Sequence, residues 1–454
     1  MTDDNSFTVS RRKVLGGVGA IGLASAGAGL GTTAYFNDTE SFSGNTLEAG
    51  SLDLFVHVDY SEDQGSYAQY STPPGTFIDG NVVGGGDGEP LRIEVSDLKP
   101  GDSGEGEFCF SIVDNPAYLW MCGGLTQNAQ NGTTEPEAET LDELYGSTPA
   151  NGQLADAMTV SLSYCTTEEA DGETTTVIGD EIVSGSLAEV MAMLAAGVPL
   201  SGDGDGDAPL ADRPVFEGVE QPFIDEEVNA AETCVCFEWE VPTDVGNEIQ
   251  TDSVMFDLEF YAEQARHGDG TNNPCIDASY SADYVNPDGI TQPIPDGVAR
   301  VDVAYGEANV VYGITFDEPD GSQYSLADPN FANANFSMPF DVEDDGGYDF
   351  QVAWNAEGND AFRYSGVSSV PEWEKDDGTG WSALPSGFTA VKSGSQAIIS
   401  VPRSLLETGG ATYGFGFSAS AGGEQPSVSI PTGGPYSSNA NWTSSENSQE
   451  ETVQ

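Results

Sequence analysis

Six cysteines, two histidines and a few acidic clusters are the groups in this chain whose chemistry could be put to use. The cysteines are Cys109, Cys122, Cys165, Cys234, Cys236 and Cys275, an even number, as in an exported protein whose thiols pair as disulfides. Zinc is the rival chemistry, and the spacing argues against it. Cys234 and Cys236 are separated by one residue where a zinc knuckle has two, and no second pair follows. His57 and His267 lie in unrelated segments, so they are not the pair one helical turn apart that a zinc peptidase needs beside its glutamate. A solvent-facing or packing role is expected for each. There is no Gly-x-Ser-x-Gly elbow and no cysteine-protease signature. The residues therefore predict neither a catalytic centre nor a cofactor.

Ser201 to Asp207 reads SGDGDGD, with Asp203, Asp205 and Asp207 at alternate positions, as at the opening of a calcium loop. The twelfth position counted from Asp203 is Pro214 where such a loop has glutamate, so a solvated loop is expected, with a weak calcium site as the alternative. Asn37, Asn131, Asn335 and Asn441 head Asn-x-Ser/Thr triplets and are candidate glycosylation sites.

The N-terminus carries transport signals. Arg11 and Arg12 form a twin-arginine motif ahead of a Gly- and Ala-rich apolar run, which predicts Tat export. Thr32 and Ala34 are the small residues that a signal peptidase requires, placing the cut between Ala34 and Tyr35. The run is close to the lower limit of about 17 residues for a membrane span and rich in glycine, so no stable membrane insertion is expected. The Tat translocase and a signal peptidase are thus the expected partners in transit, and the cell surface or extracellular matrix the destination.

Composition describes the solvent. There are 76 Asp and Glu against 12 Lys and Arg, a formal net charge of −64. At ordinary ionic strength such a charge strains a compact fold by self-repulsion, whereas at molar salt the Debye length falls to about 3 Å and the repulsion is screened. The acids are spread among regular apolar alternations, which separates this chain from a disordered acidic tail. A salt-adapted, haloarchaeal protein is expected, and nucleic acid is excluded as a partner by the sign of the charge.

The elements that must position these groups are strands. Leu52, Leu54, Val56 and Val58 alternate with Asp53, Phe55, His57 and Asp59, the period of a strand with one buried face, and apolar residues alternate likewise over Leu91 to Val95, Phe108 to Ile112, Val160 to Tyr164, Val235 to Val241 and Val254 to Phe260. Cys109, Cys165, Cys234 and Cys236 sit on the opposite parity from the large apolar residues and should project from the other face. One short helix is expected after Ser186, where Glu189 completes a capping box, Leu187, Val190, Met191 and Leu194 recur at helical spacing, and Gly197 stops the run. Later, Val310 to Phe316, Tyr348 to Trp354 and Tyr413 to Phe417 alternate again, and no cysteine follows Cys275. The expected fold is all-β, two β-sandwich domains after the signal peptide: residues 1–34 signal peptide, 35–276 first sandwich, 277–297 linker, 298–423 second sandwich and 424–454 a disordered polar tail.

The segment AYFNDTE (34–40), then TLEAGSLDLFV (46–56), then Leu98-Lys99-Pro100-Gly101-Asp102, and finally Val254 to Tyr261 running into Ala262-Glu263-Gln264-Ala265-Arg266-His267, resemble the TasA and camelysin family of secreted surface proteins. The resemblance spans about Tyr35 to Cys275. It implies a jelly-roll sandwich that assembles with its own copies into extracellular filaments or a biofilm matrix. The new N-terminus, Tyr35 to about Thr46, would act as donor strand, with Phe36 and Phe42 in the neighbour's pockets. Camelysin relatives are classed as metallopeptidases, a label the two histidines here do not support. The stretch from Tyr348 to Trp354, followed by AIISVPRSLLETGG (397–410) and TYGFGF (412–417), is similar to carbohydrate-binding and DOMON-type sandwiches. That similarity implies polysaccharide as a further partner and Trp373 and Trp381 as stacking residues, with Trp354 packed in the core. A haem-binding version is disfavoured because no histidine follows His267.

Overall fold

The computed structural model describes residues 52–65, 69–73, 75–79, 82–84, 98–146, 148–170, 173–206, 208, 210, 212–224, 227–266, 268–281, 298–316, 334–342, 349–354, 361–366, 383–393, 396–406, 412–415, 417–421, 428–430 and 449–452. Arg11, Arg12, Ala34, Tyr35, Phe36, Asn37, Phe42, the expected strand Leu91 to Val95, Asp207, His267, Trp373, Trp381 and Asn441 lie outside the described residues.

The first half supplies β1 (Asp53–Asp63), β2 (Gln69–Ser71), β3 (Phe77–Asp79), β4 (Val82–Gly84), β5 (Ser103–Val113), β6 (Ala117–Ala129), β7 (Thr159–Ala170), β8 (Glu173–Ser186), β9 (Val198–Leu200), β10 (Phe223–Ile224), β11 (Glu227–Val228), β12 (Cys234–Glu240) and β13 (Ser253–Gln264). Its helices are α1 (Glu135–Tyr145), α2 (Leu154–Ala157) and α3 (Leu187–Ala196). A large antiparallel sheet in the order β4-β3-β1-β5-β12-β7-β8, with β2 also on β1, packs against a three-stranded sheet in the order β13-β6-β9. Alternation decides which face is buried. Val56, Val58, Tyr60, Phe108, Phe110, Ile112, Val160, Leu162, Val235, Phe237 and Trp239 all turn into one core. Trp239 is seated by a hydrogen bond from Nε1 to the Tyr60 hydroxyl (3.1 Å) and lies over Gly104, where any Cβ would overlap the indole.

Helix α3 forms where the capping box predicts it. Glu189 N–H donates to Ser186 Oγ (3.2 Å), Ser186 N–H donates to Glu189 Oε2 (2.8 Å), and Gly197 follows at φ +91°. Its burial exceeds one face: Leu187, Ala188, Val190, Met191, Ala192, Met193, Leu194 and Ala196 are all buried. One side packs on β6 and β8 inside the first sandwich. The other meets the second sandwich, where Ala196 stands against Gly313 and where Ala304, Val311 and Ile398 join the same core. Small residues at i, i+4 and i+8 let a sheet approach this closely.

The second sandwich comprises β14 (Ala278–Ser281), β15 (Val298–Tyr305), β16 (Asn309–Phe316), β17 (Ala334–Asp341), β18 (Phe350–Trp354), β19 (Phe362–Gly366), β20 (Thr389–Ser393), β21 (Gln396–Pro402), a short helix α4 (Arg403–Leu406), β22 (Thr412–Phe415), β23 (Phe417–Ala421), β24 (Val428–Ile430) and β25 (Gln449–Thr452). Sheet β14-β15-β16-β21-β20 packs on sheet β19-β18-β17-β22-β25, with β23 also on β17 and β24 on β23. Phe340 stacks on Phe350 at 4.7 Å, and Trp354, 4 % exposed, is core as its strand position predicts.

Three elements differ from the expectation. Helix α1 was not expected; Thr134 and Glu137 form its capping box and Gly146 ends it at φ +73°. Residues 278–281, read as the opening of a linker, form β14 on β15, where Ser279 Oγ donates to the buried Asp302 (2.6 Å). Two pieces of the tail, read as disordered, pair as β24 and β25, because main-chain bonds at a sheet margin need no apolar side chain.

Leu194 is fully buried where the two sandwiches meet on α3. Leu194→Ala is expected to lower stability by about 2–5 kcal/mol, read from denaturant unfolding at constant high salt.

Candidate functional site

The cysteines form three disulfides, Cys109–Cys234, Cys122–Cys275 and Cys165–Cys236, with Cα–Cα distances of 4.4, 5.4 and 5.8 Å. As parity predicts, four of them share the outer face of the large sheet and pack together apart from the core. Strand β12 runs between β5 and β7, so its two cysteines serve one neighbour each. Glu107, Cys109 and Cys234 approach one another as three ligands of a metal would, but both sulfurs are committed to a bridge. Three bridges place the folded chain in an oxidising environment. Among the described residues no helix is long and apolar enough to cross a membrane, which says nothing of strands that might.

His57 is buried at 6 % exposure on that same outer face. Ser111 Oγ donates to Asn229 O (2.7 Å), so it is His57 Nε2–H that donates to Ser111 Oγ (2.6 Å). Nδ1 has no hydrogen-bond partner among the described residues, and the ring packs edge-on against Phe223 at 5.1 Å. Burial alone pushes its pKa below the ordinary 6.5. This arrangement packs a neutral imidazole whose Nε2–H is spent on Ser111 Oγ, so Nε2 is not free to take the serine's proton.

Of the acidic loop, Asp203 Oδ1 accepts from Ser201 Oγ (2.7 Å) and from Asp205 N–H (3.2 Å), which holds its carboxyl below the usual range. These contacts close a local turn. Asn131 is exposed and donates through Nδ2 to Thr251 O (3.0 Å) and Ser253 Oγ (2.8 Å); Asn335 lies in β17. An open cleft of about 470 Å³ lies between the sandwiches, with Glu189 on one wall and Trp354, Phe362 and Lys392 on the other. The Lys392 ammonium lies 4.3 Å from the centre of the Trp354 ring.

The feature with most capacity for interaction is β13. Its sequence SVMFDLEFYAEQ alternates, and it pairs with β6 over all 12 residues, with one register shift between Met255 and Phe256. Among the described residues it pairs with no strand along its second edge. Its apolar row, Val254, Phe256, Leu258, Phe260 and Ala262, turns inward yet remains only half-buried along the whole strand. The rings it meets are sealed: Phe110, 5.0 Å from Phe260, is 0 % exposed, and Phe237, 6.1 Å from Phe256, is 3 % exposed. The apolar row of β13 is therefore less buried than the rings it packs against.

The opposite flank is closed. Beyond β6 lie β9 and α3, and the outer face of β6 is covered by Arg213, whose guanidinium sits 5.1 Å from the Tyr118 ring and 5.0 Å from the Trp120 ring. Arg213 donates to the carbonyls of Leu200 (3.2 Å), Leu210 (3.0 Å) and Gly270 (2.6 Å), binding two loops over the sheet, and Cys122–Cys275 ties down the second of them. Burial lowers the guanidinium's pKa. Sequence reading missed Arg213; its only signal was a lone base in so acidic a stretch. Strand β8 is also a margin, with Val177 and Ile178 exposed, but its inward Val183 is buried.

No family model matches this chain, and no curated protein matches it. Among solved structures, the N-terminal domain of the Streptococcus gordonii adhesin Sgo0707 is similar at a TM-score of 0.15 and 11 % identity, over 90 % of this chain and 77 % of that one. Likeness at that level carries no argument about fold or function.

His57 gives a pH signature. Its folded pKa lies below 6.5, so in the acid window beneath 6.5 the unfolded chain binds a proton that the folded chain refuses. Stability is expected to fall as pH drops through that window. In His57→Asn this part of the slope should vanish, measured by denaturant unfolding at fixed salt between about pH 7 and pH 5.

Proposed function

We propose that this chain is a secreted, salt-adapted structural subunit that polymerises outside the cell, the segment from Tyr35 to about Thr46 of one copy adding as a strand to β13 of the next. The observation that carries this reading is that β13, among the described residues, is paired along one edge only, beside an apolar row that stays partly exposed. Residues 35–51, immediately ahead of the first strand, outnumber the 12 residues of β13 and can therefore run its full length. Main-chain bonds would supply affinity, and Phe36 and Phe42, entering beside Phe256 and Phe260, would set the register. The resemblance to TasA-type surface proteins agrees with this reading, and the disulfides suit the oxidising space in which such a polymer forms. Export by the twin-arginine route and cleavage after Ala34 belong to the same proposal.

Purified protein is expected to form filaments visible by electron microscopy. A chain lacking Tyr35 to Thr46 should keep its fold by circular dichroism and remain monomeric in sedimentation. Filaments that persist after this deletion would refute strand donation.

A synthetic peptide of residues 35–51, added in excess to wild-type protein, is expected to cap β13 and shorten the filaments. A scrambled peptide of the same composition should leave their length unchanged. If the two peptides act alike, the segment is not read in register.

A further inference from the structure

Four of the six cysteines stand in one patch on the outer face of the large sheet, and their register allows more than one pairing. Cys165 on β7 lies directly opposite Cys234 on β12, yet its bridge runs diagonally to Cys236. On the other side of β12, one step beyond the Val235–Phe108 pair, Cys109 of β5 also lies opposite Cys234 and is bonded to it. Cys234 therefore has a sulfur on each flank and holds only one. The 4.4 Å between the Cα atoms of Cys109 and Cys234 is the spacing of a pair without mutual main-chain bonds. The main-chain groups of Cys234 thus turn to β7, where residues bonded in this way stand about 5.5 Å apart, inside the range of about 4.4–6.8 Å over which a disulfide can close.

Access and charge distinguish the four. Cys165, Cys234 and Cys236 are buried, at 1, 3 and 6 % exposure, whereas Cys109 is half-buried. Glu107 Oε1 lies 3.3 Å from Cys109 Sγ, and the carboxylate is held there through Oε2 by the Thr176 hydroxyl (3.0 Å). Of these four sulfurs an incoming thiolate can reach Cys109 alone, and it does so against a like charge.

We propose that Cys109 is a site of covalent attachment for a small aliphatic thiol, gated by Glu107, and that the four sulfurs behind it form an exchange relay. In the first step a thiolate RS⁻ attacks Cys109 Sγ, forming RS–S–Cys109 and breaking the Cys109–Cys234 bond, whose electron pair leaves on Cys234. In the second the Cys234 thiolate, buried and unsolvated, attacks Cys165 Sγ: a Cys165–Cys234 bond forms, the Cys165–Cys236 bond breaks, and the charge passes to Cys236. One thiolate is consumed and one appears, so the exchange needs no oxidant or reductant. The result is a change of partners, in which β12 keeps a bridge to β7 and loses its bridge to β5.

The test incubates full-length, fully bridged protein with reduced glutathione at fixed KCl, where circular dichroism is unchanged, then quenches with excess N-ethylmaleimide and maps every sulfur by mass spectrometry. Glutathione is expected on Cys109, a new bridge between Cys165 and Cys234, and the maleimide on Cys236. Maleimide on Cys234 with Cys165–Cys236 intact would overturn the relay. Glutathione absent from Cys109 would overturn the attachment site and the relay with it. Glu107→Gln leaves every cysteine in place and should speed labelling of Cys109 about twofold or more, the repulsion between unit charges about 4 Å apart in water being somewhat larger than RT. Labelling no faster than in the wild type would overturn the gate.

Discussion

A strand has two edges, and the main-chain donors and acceptors of both need partners. In this protein that requirement is met by β6 on one edge of β13, while on the other no strand pairs among the described residues, and the rest of the first sandwich can be understood around it. The large sheet is long enough to cover a core wider than three strands can close. On one flank the shortfall is filled by α3, β9 and the loops that Arg213 and Cys122–Cys275 hold over β6. On the other flank there is no equivalent among the described residues, and the row from Val254 to Ala262 stays partly exposed. Burying a large apolar side chain is worth about 1.5–3 kcal/mol, so a row of them left partly wet is a standing attraction for another strand.

Helix α3 has a second role. Its eight buried residues divide between two sandwiches, so the unit that follows residue 49 behaves as one compact body. Ala308 N–H donates to Leu125 O (3.3 Å), and Gln153 Nε2 donates to Ser386 Oγ (2.9 Å), adding polar ties across the same boundary.

Period-two alternation made β1, β5, β7, β12 and β13 of the first sandwich and β16, β18 and β22 of the second legible, but not β6, β8, β15, β17 or β21, and the capping box at Ser186 located α3. What alternation could not show is which strand lies at a margin. That is settled by pairing between segments far apart in the chain, here Tyr118–Asn128 with Val254–Glu263. The same limit applied to the cysteines: parity put four on one face, but their partners depend on β12 lying between β5 and β7. Helix α1 escaped notice because it has a single buried apolar anchor, Leu141, while Leu144 is 57 % exposed; Thr134 and Glu137 were the signal available. The second stripe of α3 was illegible because alanine weighs little in a hydropathy count. His57 was placed correctly on the polar side of β1, yet that side is itself covered, by Phe77 and Phe223.

The crossed bridges on the large sheet bear on mechanics. A pull on the leading end enters through β1, which is bonded to β5 along all 11 of its residues, so the load falls on many bonds in shear and not on one at a time. Behind β5, Cys109–Cys234 and Cys165–Cys236 link three adjacent strands covalently. Tension therefore reaches a block that cannot unzip sideways without breaking a covalent bond.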